Sequence, residues 1–215
     1  MRDYIQNYDE NKDLILDVFL SGGIAAYPTD TIFGLGVDAL NPEAVKSLYY
    51  LKQRPEKLPF SILFPHVENI LEIVDVSGKC RDFLTSVFPG PVTAVLPLKD
   101  PRYFSSGFLS DEYTGFRIPD HPFCRWLSHN YENPVITTSA NPSGSVPLLS
   151  LQEIENLYQD RVDLYIDDPA DGFSRSNLPS TIFKISRDDK ISILREGQIP
   201  GEELLERFFK ISRDQ

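Results

Sequence analysis

The chain has 215 residues, 41% of them hydrophobic and 25% charged, which suits one globular domain or at most two small ones, since single cores stop growing near roughly 250 residues. Its 14 Phe and 10 Tyr supply the bulky apolar surface that disordered chains lack. Because 21 Lys and Arg face 32 Asp and Glu, for a net charge of -11, the charge opposes non-specific attraction to polyanions, and any nucleotide or nucleic acid must meet a local basic patch.

Apolar periodicity predicts a helix over Asn11 to Leu20, closed by Ser21-Gly22-Gly23, then a short strand over Ile24 to Tyr27 that Pro28 ends. Asn41-Pro42 opens a second helix with a cap residue and a first-turn proline. Val45, Leu48, Tyr49 and Leu51 form its apolar face, and Lys52-Gln53-Arg54-Pro55 ends it with charges leaning outward, none of them expected in the core. Phe60 to Phe64 reads as a buried strand, His66 to Val74 and Ser77 to Phe88 as helices, and Pro89-Gly90-Pro91 as a break. Strands rich in β-branched and aromatic residues follow at Val92 to Leu98, Gly115 to Ile118, Pro134 to Thr138, Val162 to Ile166, Thr181 to Ile185 and Ile191 to Leu194. Asp120 is the expected cap of a helix over His121 to Asn130, and Ser150-Leu151-Gln152-Glu153 is a capping box opening another. These elements predict an α/β fold, an open twisted mixed sheet flanked by helices.

The 17 prolines are dispersed and no repeat is evident, so residues 1–215 are expected to form one domain. No apolar run approaches the roughly 20 residues needed to span a bilayer, and Met1-Arg2-Asp3-Tyr4 carries an acid where a signal peptide needs an apolar stretch. A cytoplasmic protein with no membrane contact is expected. Cys80 and Cys124 form no CxxC pair and are read as buried or idle thiols, with no resident metal site.

Four polar clusters follow the strands, where α/β folds place ligand contacts. Pro28-Thr29-Asp30-Thr31-Ile32-Phe33-Gly34-Leu35-Gly36 combines hydroxyls and an acid with two glycines that let backbone approach a ligand. Lys52-Gln53-Arg54-Pro55 is cationic. Thr137-Thr138-Ser139-Ala140-Asn141-Pro142-Ser143-Gly144 is a row of small hydrogen-bonding groups suited to a nucleotide or an amino acid, and Ser180-Thr181 joins Leu194-Arg195-Glu196-Gly197 as the fourth. Each alone also reads as an ordinary polar turn. Gly34 to Ala39 fits the loose dinucleotide pattern GxGxxA, but in a true fingerprint the glycines follow the strand directly, and here Pro28-Thr29-Asp30-Thr31 intervenes. There is no GxxxxGK[ST] loop, GxSxG elbow or HExxH helix, and His66, His121 and His129 share no spacing, so they read as helix caps or surface groups.

Taken in order, Pro28-Thr29-Asp30-Thr31 with Gly34-Leu35-Gly36, Lys52-Gln53-Arg54-Pro55, Pro89-Gly90-Pro91-Val92-Thr93, Arg117-Ile118-Pro119-Asp120-His121-Pro122, Ser139-Ala140-Asn141, Ser180-Thr181 and Leu194-Arg195-Glu196-Gly197 resemble the YrdC/TsaC family, over about Gly23 to Gly197. The chain is similar to the single-domain form. The resemblance implies an open α/β sheet with a deep basic hollow and a nucleotidyltransferase activity: threonylcarbamoyl-AMP synthesis from L-threonine, bicarbonate or CO2, and ATP with Mg2+, releasing pyrophosphate. The product would feed the downstream tRNA threonylcarbamoyl-transfer machinery, with tRNA itself bound only weakly or indirectly.

By position in the resemblance, Lys52 and Arg54 are the catalytic cations, and Lys52, Arg54, Lys57, Asn141, Ser150 and Arg195 are the ATP contacts. Thr31, Arg117, Ser139 and Ser180 fall on the threonine side. Two positions depart from the family pattern: Leu58 stands where a basic or amide residue is usual, which leaves Lys57 to reach the phosphates, and Leu63 stands where some relatives have a polar threonine contact. Blander readings stay open, with Arg117 paired to Asp120 at a sheet edge, and Lys52 and Arg54 complementing a helix dipole. So do three other functions: a relative with altered activity, an RNA- or tRNA-binding module without adenylate synthesis, and a carbamoyl-transfer domain of the hydrogenase-maturation type.

Overall fold

The structure, a computed structural model, describes residues 4–55, 60–104, 112–167 and 177–211. In chain order these form α1 (Lys12–Leu20), β1 (Ala25–Tyr27), β2 (Gly34–Asp38), α2 (Pro42–Leu51), β3 (Ser61–Leu63), α3 (Val67–Ile73), α4 (Gly78–Val87), β4 (Val92–Pro97), β5 (Tyr113–Arg117), α5 (Pro122–Asn130), β6 (Val135–Ser139), α6 (Leu151–Tyr158), β7 (Leu164–Tyr165), β8 (Thr181–Ile185), β9 (Ile191–Arg195) and α7 (Gly201–Ile211). The strands join in one sheet, ordered β7-β1-β2-β6-β3-β5-β4-β8-β9. It is mixed: β1 with β7, β3 with β5 and β4 with β8 are parallel pairs, and the others are antiparallel.

Local chemistry accounts for several helix starts. Asn41 accepts from the N–H groups of Glu43 and Ala44, Ser77 accepts from that of Cys80, and Ser150 and Glu153 close a capping box. At α5 the structure corrects the expected cap. His121 fills that place, its Nδ1 accepting the Phe123 N–H at 3.2 Å, while Asp120 pairs with Arg125.

Two elements lie beyond the sequence expectations, α7 and β2. Gly34–Asp38 is a strand, not a loop, and its glycines have a packing reason. The Tyr27 ring lies across them, and a Cβ on Gly36 would stand 2.7 Å from the Tyr27 hydroxyl. That hydroxyl donates across β2 to Thr137 Oγ1 on β6 at 2.9 Å. Gly36 therefore admits a tyrosine where a ligand was expected.

Side-chain alternation along the strands separates the two faces of the sheet. Leu35, Ile62, Ala94, Phe116, Ile136 and Phe183 enter the larger core with apolar residues of α2, α3, α4, α6 and α7. On the other face, α1 and α5 lay Ile15, Phe19, Phe123, Cys124 and Leu127 over Ala25, Tyr27, Leu63 and Val135. Leu63 thus belongs to this second core and is not among the described residues that line the hollow. Beyond that cover, the same face carries Gly34, Ser61, Thr93, Gly115 and Thr137, residues too small to fill the space, and a hollow remains. The approach is close: a Cβ on Gly115 would meet Ser61 Oγ at 2.9 Å. Both cysteines are buried and free. Among the described residues no helix is long and apolar enough to cross a membrane.

Candidate functional site

The hollow has a volume of about 310 Å³ and crosses the middle of the sheet, at the lower end of the range for small-molecule sites. Of the residues expected at the site, it brings together Thr31, Arg54, Arg117, Ser139, Ser180 and Arg195. Three of these are arginines, and no carboxylate is among the described residues that line it.

Each arginine is oriented differently. Arg54 follows α2, with its guanidinium over the Phe60 ring at 5.1 Å from the centroid. Arg195 ends β9 and donates from Nη2 to the Ser180 carbonyl at 2.8 Å and to its hydroxyl at 3.3 Å. Ser180 Oγ also shares a 2.8 Å hydrogen bond with Thr93 Oγ1. Gly197 lets these segments meet, for a Cβ there would lie 2.3 Å from the Pro179 carbonyl oxygen. Burial pushes the Arg195 pKa down, and the charges of Arg117 and Arg54 push it further. An arginine does not give up its proton, so this marks a cation strained first by burial and then by like-charge repulsion, both of which an anionic ligand would offset.

Arg117 has a partner that sequence reasoning did not assign. Its Nη2 lies 2.7 Å from Asp30 Oδ1 and 3.3 Å from Thr31 Oγ1, while Asp30 Oδ2 accepts the Asp120 N–H at 3.2 Å. Asp30, not Asp120, is thus the counter-ion, and it ties the segment after β1 to the segment after β5. Burial raises its carboxyl above the ordinary value, with the Arg117 charge and the Asp120 N–H pulling the other way. Thr29 shapes the same turn, its hydroxyl donating to the Ile32 carbonyl at 2.7 Å and accepting the Thr31 N–H at 3.1 Å. The signal for Asp30 was present, as an acid inside the Pro28 to Thr31 cluster, but its partner is distant in sequence.

Three expected ATP contacts stand elsewhere. Lys52 does not lean outward: it is only 1% exposed, and its Nζ donates to the main-chain carbonyls of Ser139 and Asn141. Burial first, then the Arg54 charge, pushes its pKa down to about 7. Asn141 turns its amide nitrogen onto its own loop, donating to Pro142 O at 2.9 Å and Ser145 O at 2.6 Å, while its buried Oδ1 has no partner among the described residues. Ser150 is the cap of α6, where its hydroxyl accepts the Glu153 N–H at 3.2 Å, and it does not line the hollow. Lys57 and Leu58 lie outside the described residues. Of the histidines, His66 and His129 meet at 3.2 Å between their Nε2 atoms, away from the residues of the hollow.

A half-covered mixed sheet with an arginine- and hydroxyl-lined hollow on its open face defines the class, an α/β protein with a polar hollow in its sheet. The chain belongs to the Sua5/YciO/YrdC family, whose model, described as telomere recombination, matches residues 17–197. A Vibrio campbellii protein named threonylcarbamoyl-AMP synthase is 32% identical over 194 residues, covering 87% of this chain and 100% of that one. The P. abyssi Sua5 structure in complex with L-threonine matches with a TM-score of 0.75 at 26% identity, over 90% of this chain and 56% of that one. This chain therefore spans little more than half of the P. abyssi protein. E. coli YciO shares the fold, with a TM-score of 0.80 at 21% identity over 95% of this chain and 99% of that one.

Proposed function

We propose that the chain is a threonylcarbamoyl-AMP synthase, a nucleotidyltransferase that joins L-threonine, CO2 and ATP into threonylcarbamoyl-adenylate and releases pyrophosphate. The observation that carries this reading is the convergence of Thr31, Arg54, Arg117, Ser139, Ser180 and Arg195, from separate segments of a Sua5/YciO/YrdC chain, on one hollow.

The chemistry follows from charge. The threonine amine adds to CO2 and loses a proton to solvent water, giving a carbamate. A carbamate oxygen attacks the α-phosphorus of ATP, and the bond to the β-phosphate bridging oxygen breaks as pyrophosphate leaves. Negative charge gathers on phosphate oxygens throughout, so fixed cations lower the barrier. Arg54 and Arg195 are suited to the phosphates because a guanidinium presents two parallel donors. Arg117, fixed by Asp30, is assigned to the threonine carboxylate, and Thr31, Ser139 and Ser180 to its polar groups. No general base is required, since the carbamate is already anionic.

Among the described residues no cluster of three or more His, Cys, Asp or Glu could hold a metal, and Asp30 is engaged by Arg117. Mg2+ is accordingly assigned to the substrate, carried on ATP oxygens as this hard cation prefers. The adenylate is proposed to supply a cytoplasmic tRNA threonylcarbamoyl-transfer system. The test is to incubate the chain with ATP, labelled bicarbonate and threonine. A labelled adenylate is expected, with pyrophosphate release that needs bicarbonate. Release with threonine alone in CO2-free buffer would indicate ordinary aminoacyl adenylation and overturn the reading.

A further inference from the structure

Two histidines that the mechanism leaves unused meet on the surface, away from the residues of the hollow. His66 stands at the cap position of α3, and His129 lies in the last turn of α5. The sheet brings them together, since Leu63 on β3, shortly before His66, pairs with Val135 on β6, shortly after His129. Their Nε2 atoms are 3.2 Å apart, both residues are exposed, and the rings are nearly perpendicular, at 86° with centroids 5.0 Å apart.

His121 caps α5 through its ring, whereas His66 occupies the matching place on α3 and makes no capping hydrogen bond. Its ring is turned to His129 instead. The other ring nitrogen of His129, Nδ1, lies 2.6 Å from the Arg125 carbonyl. A carbonyl oxygen only accepts, so Nδ1 carries the proton, and Nε2 of the neutral ring is left with a bare lone pair facing His66. A far nitrogen that donates to a main-chain carbonyl is the usual state of a histidine metal ligand, fixed in tautomer and ring orientation. With Zn–N bonds of about 2.05 Å, two ring nitrogens stand about 2.9 Å apart at a right angle and about 3.4 Å apart at the tetrahedral angle. The observed 3.2 Å lies between these.

We propose that His66 and His129 form a two-histidine site for Zn2+ or a similar divalent ion such as Ni2+ or Cu2+, with water in the remaining positions. Neutral imidazole suits these ions, whereas Mg2+ and Ca2+ take oxygen ligands. Without metal, one proton on His66 Nε2 holds the pair as a hydrogen bond. When the ion binds, that proton moves to His66 Nδ1 and both Nε2 lone pairs face the metal. Among the described residues no cluster of three or more ligating side chains exists, so the site is open to exchange and unlike a closed, four-ligand structural centre. Residues of α3 belong to the larger core and those of α5 to the second, so a bound ion would staple together the covers of the two sheet faces. The proposal goes beyond the synthase reading and does not depend on it.

The test uses the intact chain, stripped of metal with a chelator and carrying no histidine tag. Its 3 histidines are followed by NMR, with His121, only 1% exposed and turned to the Phe123 N–H, as the internal control. Substoichiometric Ni2+ should broaden the ring signals of His66 and His129 before those of His121. Calorimetric titration should find one Zn2+ per chain. At about a hundredfold excess of free Zn2+ over its Kd, the melting temperature should rise by about 5–11 °C, while Mg2+ at the same concentration should leave it unchanged. His66→Gln and His129→Gln, at exposed positions, should each weaken Zn2+ binding by at least about tenfold. No Zn2+ binding by the wild-type chain, wild-type affinity in either variant, or broadening of His121 first would overturn the proposal. One ion per two chains with dimer formation would overturn it too, by making the pair an interface between copies. If a variant failed to fold, the wild-type spectra alone would still decide. None of these readouts involves adenylate, so this proposal and the synthase reading stand or fall separately.

Discussion

Replacing Asp30 with alanine should be among the most damaging single changes available in this chain. Its Oδ1 lies 2.7 Å from Arg117 Nη2, and the two side chains are only 4% and 11% exposed. Without Asp30, the guanidinium stays buried with Thr31 Oγ1 at 3.3 Å as its remaining hydrogen bond among the described residues, its Nε already lacking a partner there, and the Asp120 N–H loses its acceptor. Breaking a buried pair by removing one partner costs about 3–5 kcal/mol, a large share of the roughly 5–15 kcal/mol that holds a typical domain folded. At about 2–4 °C per kcal/mol for a chain of this size, the melting temperature should fall by about 6–20 °C. Asp30→Asn, which keeps an oxygen acceptor without the charge, should cost less. Asp30→Ala combined with Arg117→Met should recover much of the loss, because removing both charges leaves neither one stranded. Urea unfolding of these proteins and of Arg117→Met alone measures this directly. A loss below about 1 kcal/mol for Asp30→Ala, or a double variant as unstable as the sum of the singles, would refute the assignment of Asp30 as the counter-ion that fixes Arg117.

Arg54→Ala and Arg195→Ala should each lower the rate at limiting ATP by roughly 30- to 1000-fold, as expected when a charged donor to phosphate is lost; pyrophosphate release measures it, and a wild-type rate for Arg54→Ala removes that role. Ser150→Ala should cost about 1 kcal/mol in unfolding experiments through the lost cap while leaving the KM for ATP unchanged, and a raised KM would return Ser150 to the nucleotide site. Lys52 binds its proton less tightly folded, at about 7, than at its ordinary 10.5, so between those values the unfolded chain holds more protons and folding stability gains with rising pH, by up to about 1.4 kcal/mol per unit. The stability of wild type relative to Lys52→Met should therefore rise as pH goes from about 7 to about 9, and parallel curves would contradict the burial of a titrating ammonium. Serine should be used about 10- to 200-fold less well than threonine, and valine worse still, because a missing methyl costs less than a buried hydrogen-bonding group left unpaired; equal rates would remove the threonine pocket but not the nucleotide site.

The amino-acid sequence by itself determined whatever depends on neighbours a few residues apart. Asn41-Pro42, Ser77 and the Ser150–Glu153 box start helices because a side chain satisfies N–H groups two or three positions on. The β-branched runs became strands at nearly their expected bounds, and the polar clusters supplied Thr31, Arg54, Ser139, Ser180 and Arg195 to the hollow, while Arg117 entered from the family resemblance. The helix α7 also carries a sequence signal of its own, with Glu202 and Glu203 in its first turn, Leu204 and Phe208 on one face and Lys210 in its last turn. Tertiary structure alone decided the rest. Gly34–Asp38 has the poor strand propensity of its glycines, and it is a strand because Tyr27 needs two positions without a Cβ and β6 supplies a pairing edge. A cationic helix end predicts an exposed lysine, but the Ser139 and Asn141 carbonyls arrive from 87 and 89 residues away to enclose Lys52. Asp30 meets Arg117 across the same separation of 87 residues. The hollow itself exists because the strand order sets Gly34, Thr137, Ser61, Gly115 and Thr93 side by side. Each is merely a small residue in its own strand, and only their adjacency leaves room for a substrate.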